Sequence, residues 1–379
     1  MKVLSGIYFL TVLIALCSCQ QQESIEIEYI KAGKIYTEEI IKSKYLNASA
    51  KVETDFIEQI SFERADSVYL KDNNPDKVRF NSEAVALDFT QPIKQYSPEY
   101  YTLATAYYVD KAIAYYNKVF RDKINFNTQE DYRKIKVLFA DQTLFTHPNL
   151  FMLNENQPFS PSIFYHEMGH VAFWTLEEDL GVKFGGLSTL HMGLLEYFTV
   201  SLFNCPVVGE RVLPKSMLRY ADHGYVYPQP DSMYLRRTMQ LLKESYNDEI
   251  ADTSSFMNMY YHISMRNAED YLDRIVDNHR GGMLYTNTLW RIREQLGAEK
   301  TDRLVAETIL SLNDYMEQRS MFYKPDSNEL LKDKLMWYDF YYGLLMKNKA
   351  LHGGKNQSII SGEFEKSKFP IQKVTIADK

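Results

Sequence analysis

The stretch SPSIFYHEMGH, residues 160–170, places two histidines and a glutamate within five consecutive positions. On a helix, positions i and i+4 lie on one face, so His166 and His170 can grip one metal ion. Glu167 can then reach a water at that ion and take its proton. Ser160 is a plausible N-cap and Pro161 suits the first helical position, so a helix is predicted to begin here.

Bulk composition is that of a large globular protein. The chain has 379 residues, of which 45% are hydrophobic and 25% charged, enough for two domains or one large two-lobed domain. The formal net charge of -7 argues against nucleic acid as a partner. Only 8 residues are histidine, so a His-Glu-x-x-His pattern is rare by chance.

The N-terminus, MKVLSGIYFLTVLIALCSCQQQ, indicates export. Its apolar run, residues 7–16, is too short to span a membrane and is typical of a signal peptide. The ending Leu16-Cys17-Ser18-Cys19 resembles a bacterial lipobox. We therefore expect residues 1–18 to be removed and Cys19 to carry a lipid, which would make the protein a membrane-anchored lipoprotein of the cell envelope, in the outer membrane. The alternative is an ordinary secretory signal. Cys205 would then be the only other cysteine, so no intramolecular disulfide is expected.

Patterning along the rest of the chain predicts strands first and helices afterwards, an α+β class. Partial alternation predicts strands over much of 26–97, with a turn at 73–76, and further strands at 134–141 and 149–154. Helical spacing predicts helices at 98–120, 188–203 and 283–297. The predicted organisation begins with a tether (19–30) and a β-rich region (31–97). A lobe with the motif helix (98–206) and a helical lobe (207–352) follow. The tail (353–379) is predicted to be a strand or a loosely structured segment.

Several segments together resemble a known enzyme family. They are AYYVDKAIAYYNKVF, KIKVLFAD, HPNLFMLN and SPSIFYHEMGHVAFW, in that order. The block from about residue 98 to residue 312 resembles the gluzincin metallopeptidases of the thermolysin and fungalysin type. The resemblance implies a two-lobed zincin fold, with a β-containing N-terminal lobe that carries the active-site helix and a mostly α-helical C-terminal lobe. It also implies a Zn²⁺ cofactor, a peptide or protein substrate, and Glu167 as general base.

Two further residues take roles from the same resemblance. In DNHRGGMLYTNTLW, His279 matches the histidine that donates a hydrogen bond to the oxyanion. In PKSMLRYADHGYVYP, Arg219 matches the arginine that binds a substrate carbonyl, although a solvent-facing arginine is an equal alternative. The extended chain near NLFMLN is expected to pair with substrate as an added strand.

The third zinc ligand departs from the family pattern. In HMGLLEYF, residues 191–198, Glu196 falls on the outer carboxylate that orients a ligating histidine, while Met192 falls on the ligand position. A thioether is a poor partner for Zn²⁺ beside two imidazoles. We take Glu196 as the third ligand, through a shift of one helical turn. The alternatives are His191, about a quarter-turn off the face, or a site that binds metal weakly or not at all.

The sequence therefore predicts a membrane-anchored zinc endopeptidase with His166, His170 and Glu196 as ligands. The alternative function is a catalytically degenerate peptidase fold that acts as a surface binding module. A zinc hydrolase that cleaves another kind of amide remains open on the general rule that one fold hosts many functions.

Overall fold

The computed structural model describes residues 24–70, 78–140, 148–181, 189–210, 218–223, 278–318 and 337–369. The predicted signal peptide, the predicted lipidation site at Cys19 and the predicted turn at 73–76 lie outside these residues. Among the described helices, none combines the length and the apolar character that crossing a membrane requires.

Strands dominate the first part of the described chain and helices the second. The strands and helices of the first part are β1 (Ser24–Lys31), β2 (Lys34–Ile41), β3 (Gln59–Leu70), β4 (Val78–Ala84), α1 (Pro98–Phe120), β5 (Lys134–Phe139) and β6 (Leu150–Leu153). Those of the second part are α2 (Pro161–Leu180), α3 (Thr189–Phe203), β7 (Val207–Val208), β8 (Arg219–Tyr220), α4 (Asn278–Leu296), α5 (Ala298–Ile309), α6 (Leu312–Gln318), α7 (Trp337–His352) and α8 (Gln357–Lys366). This order confirms the α+β class.

The C-terminal tail differs from its prediction. A strand or loose chain was expected from residue 353 onwards, whereas Gln357–Lys366 forms a helix. Ile360 and Phe364 lie four positions apart on this helix and are both fully buried. Three apolar residues in a ten-residue polar stretch are a weak periodic signal, so packing against the rest of the chain supports this helix more than its own sequence does.

The described contacts group the chain into two compact units, the first of residues 1–111 and 129–164. Its sheet has the order β4-β3-β5-β6, with β3 parallel to β5 and β5 parallel to β6. Strand β6 is an edge of that sheet, and β1 and β2 form a separate antiparallel hairpin. An aromatic core lies within this unit: the Tyr101 ring meets Phe139 edge-on at 4.8 Å and lies 5.0 Å from Phe159.

The second unit, residues 112–128 and 165–379, has a polar centre inside its helical core. The carboxylate of Asp302 on α5 accepts hydrogen bonds from the hydroxyls of Tyr115 at 2.9 Å, Tyr197 at 2.6 Å and Ser201 at 2.7 Å. Burial raises the pKa of Asp302, and these three hydrogen bonds oppose that rise. One carboxylate thus ties together residues of α1, α3 and α5. The domain boundaries predicted from the sequence stay predictions.

The backbones of helices α3 and α4 are in contact where Gly193 meets Gly282. A Cβ added at Gly193 would lie 2.5 Å from the carbonyl oxygen of Gly282 and 2.7 Å from Cβ of Tyr285. The Thr286 hydroxyl donates to the Gly193 carbonyl at 2.9 Å. No side chain fits between the two backbones, so glycine is required where these helices cross.

Gly193→Ala should destabilise the fold by about 3 kcal/mol, because the added methyl group meets backbone atoms that cannot move aside. Urea unfolding of the variant and the wild type measures this difference. The matched control is Gly362→Ala on α8, where an added Cβ has nothing within 4 Å. That variant should be neutral or gain up to about 1 kcal/mol from helix propensity. Equal stabilities of the two variants would contradict the close crossing.

Candidate metal centre

Helix α2 carries the His-Glu-x-x-His motif and begins at Pro161, directly after the buried Ser160, as the sequence predicts. The motif side chains are buried: His166, Glu167 and His170 are exposed by 3%, 6% and 8%. The two imidazole centroids lie 4.9 Å apart with perpendicular planes. Imidazoles that share one zinc ion have centroids about 5 Å apart, given normal Zn–N lengths and tetrahedral angles. The pair therefore has the spacing of two ligands of one ion.

Gly169, inside the motif, lets neighbouring helices pack closely against α2. A Cβ at this position would lie 2.5 Å from the Tyr116 hydroxyl and 3.0 Å from Cγ of Leu195 on α3. Tyr116 donates to the Tyr165 carbonyl at 3.4 Å. Burial, and then the charge of Glu196, raise the pKa of Tyr116, so its hydroxyl stays a proton donor. This close packing brings the side chains of α3 up to the motif.

Glu196 is the α3 residue that meets the motif. Its side chain is fully buried, and Oε1 lies 3.3 Å from Nδ1 of His166. Nη1 of Arg219 donates a hydrogen bond to the same oxygen. A carboxylate at Nδ1 favours the tautomer that keeps its proton there and leaves Nε2 able to bind a metal. These contacts favour an orienting role for Glu196, and its assignment as the third ligand stays a prediction.

Arg219 reaches Glu196 from a short strand. It lies on β8, where it pairs with Val208 of β7, and its side chain is only 12% exposed. A buried carboxylate is costly unless a positive charge accompanies it, and the Arg219 guanidinium supplies that charge. Arg219 therefore belongs to the shell around the motif, while its predicted contact with a substrate carbonyl stays a prediction.

Met192 stands at the predicted ligand position and is 4% exposed. Its Cβ would lie 3.1 Å from a Cβ built on Gly282, so the side chain begins against the α4 backbone. Neutral thioether sulfur is a soft donor that suits Cu(I) better than Zn²⁺. The position that the family pattern gives to a carboxylate therefore offers zinc no good ligand.

His191, next to Met192, lies in the aromatic surroundings of the motif. It is 1% exposed, and its ring lies 5.8 Å from that of His170 and 5.2 Å from that of Phe173. Its Nδ1 lies 3.9 Å from Oε1 of Glu177 on α2.

Two residues near the motif were missed by the sequence reasoning. Trp174 stacks on the His170 ring at 5.4 Å and 25°, and Glu177 lies near His191. They follow His170 by four and seven positions, so both fall on its helical face. Extending the helical spacing beyond the motif would have found them.

Two predicted residues are placed only in part or not at all. His279 lies in the first turn of α4, where its side chain is outside the described part of the structure. Its predicted role at the oxyanion therefore stays a prediction. Cys19 lies outside the described residues altogether.

The donor types suit Zn²⁺, because buried neutral imidazoles with a carboxylate at Nδ1 are its usual ligands. His166 has such a carboxylate in Glu196, and the His166 and His170 rings have the spacing of a ligand pair. Within the described ranges, no group of three or more His, Cys, Asp or Glu side chains is arranged to hold a metal ion. Zinc thus fits the motif pair, and a third ligand would have to turn toward it.

Comparison of the sequence with models of protein families and with curated proteins gives no match.

Arg219→Met should destabilise the metal-free protein by about 3 kcal/mol, because it leaves the buried Glu196 carboxylate without that guanidinium. Chemical unfolding in the presence of a chelator measures the loss. Glu196→Gln removes the charge itself, so the double variant should recover most of the stability that Arg219→Met loses. Additive losses in this double-mutant cycle would contradict a direct pairing of the two residues.

Proposed function

We propose that this chain is a zinc-dependent endopeptidase of the gluzincin type, anchored to the membrane by a lipid on Cys19. The α+β order of the elements agrees with the two-lobed zincin fold that this proposal includes. The observation that carries the proposal is the position of Glu196, whose Oε1 lies between Nδ1 of His166 and the Arg219 guanidinium. A histidine that only filled a core would not need a fully buried carboxylate and an arginine behind it.

The motif residues divide the chemistry between them. His166 and His170 would hold Zn²⁺, which would polarise the scissile carbonyl and make water a better nucleophile. Glu167 follows His166 directly, and its carboxylate is only 6% exposed. It would take a proton from the attacking water and deliver it to the leaving amine. Burial of this carboxylate strengthens its interaction with the transferred proton, because little water screens it.

Other residues would bind and orient. Glu196 keeps the His166 ring in one orientation, and Arg219 keeps Glu196 in place. His279 would donate to the developing oxyanion. Strand β6 is a sheet edge among the described strands, so its backbone groups are suited to pairing with an extended peptide.

A second candidate function is a binding module that keeps the peptidase fold without its activity. Met192 favours this reading, as does the lack of a three-donor group in the described part of the chain. A protein that had lost its third ligand would still fold, because the packing at Gly169 and Gly193 does not involve the metal.

Glu167→Gln should leave zinc binding intact and lower cleavage of an unstructured protein substrate by about 10²- to 10⁴-fold, the usual contribution of a general base. Zinc content is measured by elemental analysis and cleavage by release of new amino termini. Glu178→Gln is the matched control, because Glu178 is an exposed residue of the same helix. Cleavage that survives Glu167→Gln, or a wild type that holds zinc without cleaving, would contradict the peptidase function.

Met192→Glu separates the two candidate functions. If the centre is degenerate, the restored carboxylate should raise zinc affinity and create activity, because zinc then gains its third protein ligand. If the wild type is already an active peptidase, the variant should gain little. Met192→Gln, which has the same size without the charge, is the control for a change in packing.

A further inference from the structure

We infer that His191 completes the metal centre as a third imidazole, with Glu177 as the carboxylate that orients it. This inference rests on the proposed function and names a ligand that the family pattern does not contain. It replaces the expected carboxylate with a residue one position earlier on α3.

The first observation is the distance between rings. The His191 and His170 centroids lie 5.8 Å apart, and the His170 and His166 centroids lie 4.9 Å apart. Two imidazoles on one zinc ion have centroids about 5 Å apart. One pair already has this spacing, and the other lies less than 1 Å beyond it. Among the described residues these three rings do not form a three-donor site as they stand, so the His191 side chain must turn toward the motif when the ion binds.

The second observation is the carboxylate behind each ring. Oε1 of Glu196 lies 3.3 Å from Nδ1 of His166, and Oε1 of Glu177 lies 3.9 Å from Nδ1 of His191. In both pairs the carboxylate faces the same ring nitrogen. Metal-ligating histidines almost always donate one ring N–H to such a group and bind the metal through the other nitrogen. Glu177 thus faces His191 from 3.9 Å, which is beyond hydrogen-bond distance, and it would have to move closer to orient a ligating ring.

The third observation is burial and charge. His191 is 1% exposed, whereas Glu177 is 26% exposed and reaches solvent. A carboxylate that is partly hydrated is inexpensive to keep ionised, and it can still polarise a buried ring. The ring of Phe173 lies 5.2 Å from that of His191. His191 is thus a buried imidazole beside both an aromatic ring and His170.

Helix geometry explains why the neighbour of Met192 can serve. Consecutive residues of a helix differ by about 100° around its axis, so His191 leaves α3 toward α2 at a different angle from Met192. Met192 begins against α4, while His191 lies against His170, Phe173 and Glu177 of α2.

The test is metal binding by the full-length chain, measured apart from activity. Zn²⁺ affinity is obtained by competition with a chromophoric chelator, and Co²⁺ is bound in its place to record visible absorption bands that report the ligands. The variants are His191→Asn and Glu177→Gln, with Glu178→Gln as the control on the same helix. Thermal unfolding without metal checks that each variant is folded.

His191→Asn should weaken Zn²⁺ binding by at least about 100-fold and change the Co²⁺ bands, because a ligand is lost. Glu177→Gln should weaken binding by about 10- to 100-fold, as loss of an orienting carboxylate does. Glu178→Gln should bind as the wild type does. If His191→Asn does not fold, Glu177→Gln decides the matter, because Glu177 is partly exposed and its replacement leaves the core intact.

The outcomes separate this inference from the proposed function. Wild-type Zn²⁺ affinity and unchanged Co²⁺ bands in His191→Asn and Glu177→Gln would overturn the role of His191 and leave the peptidase standing. Binding that depends on His191 without any cleavage would support the third ligand and overturn the peptidase. A wild type that binds neither metal would overturn both.

Discussion

The buried carboxylate of Glu196 is the constraint on which the candidate centre depends. An ionised carboxylate without water costs several kcal/mol unless opposite charge and hydrogen-bond donors surround it. Here the Arg219 guanidinium and the His166 imidazole both lie at Oε1. Strand β8 must therefore place the Arg219 side chain beside Glu196, and α3 must pack against α2 so that Glu196 contacts His166. The same electrostatic requirement that stabilises this arrangement also fixes the orientation of a motif histidine.

Glycine makes that arrangement sterically feasible. Gly169 lets Leu195 of α3 and the Tyr116 hydroxyl reach the surface of α2, and Gly193 lets α3 meet the α4 backbone at Gly282. Side chains at these positions would hold the helices apart by the width of a methyl group or more, and Glu196 would then lose contact with His166. Glycine in a helix interior costs about 1 kcal/mol in propensity. Close helix packing and the buried ion pair depend on glycine at these positions, and their stabilisation offsets that cost.

Met192 and His191 are adjacent on α3, and which of them faces the metal bears on both candidate functions. Met192 departs from the pattern of the family that the sequence resembles, yet His166 and His170 keep the spacing of a ligand pair and Glu196 lies at Nδ1 of His166. Neighbouring positions on a helix point about 100° apart, so a nearby residue can approach the same ion from a different side. Oε1 of Glu196 lies 3.3 Å from Nδ1 of His166, and Oε1 of Glu177 lies at the longer distance of 3.9 Å from Nδ1 of His191. If His191 binds the ion as inferred above, each of these carboxylates would lie beside one of the ligating rings.

The sequence by itself determined the α+β class, the helix at Pro98–Phe120, the start of the motif helix at Pro161 and the likeness of His166 and His170 to a ligand pair. Those features depend on local spacing, capping and propensity, which a single segment contains. Only the tertiary structure decided that Glu196 faces Nδ1 of His166, that Arg219 joins it, and that Glu177 lies beside His191. These contacts join positions that are 14 to 30 residues apart in the sequence. They depend on how closely two helices approach, and that distance is set by packing at Gly169 and Gly193 rather than by any local pattern.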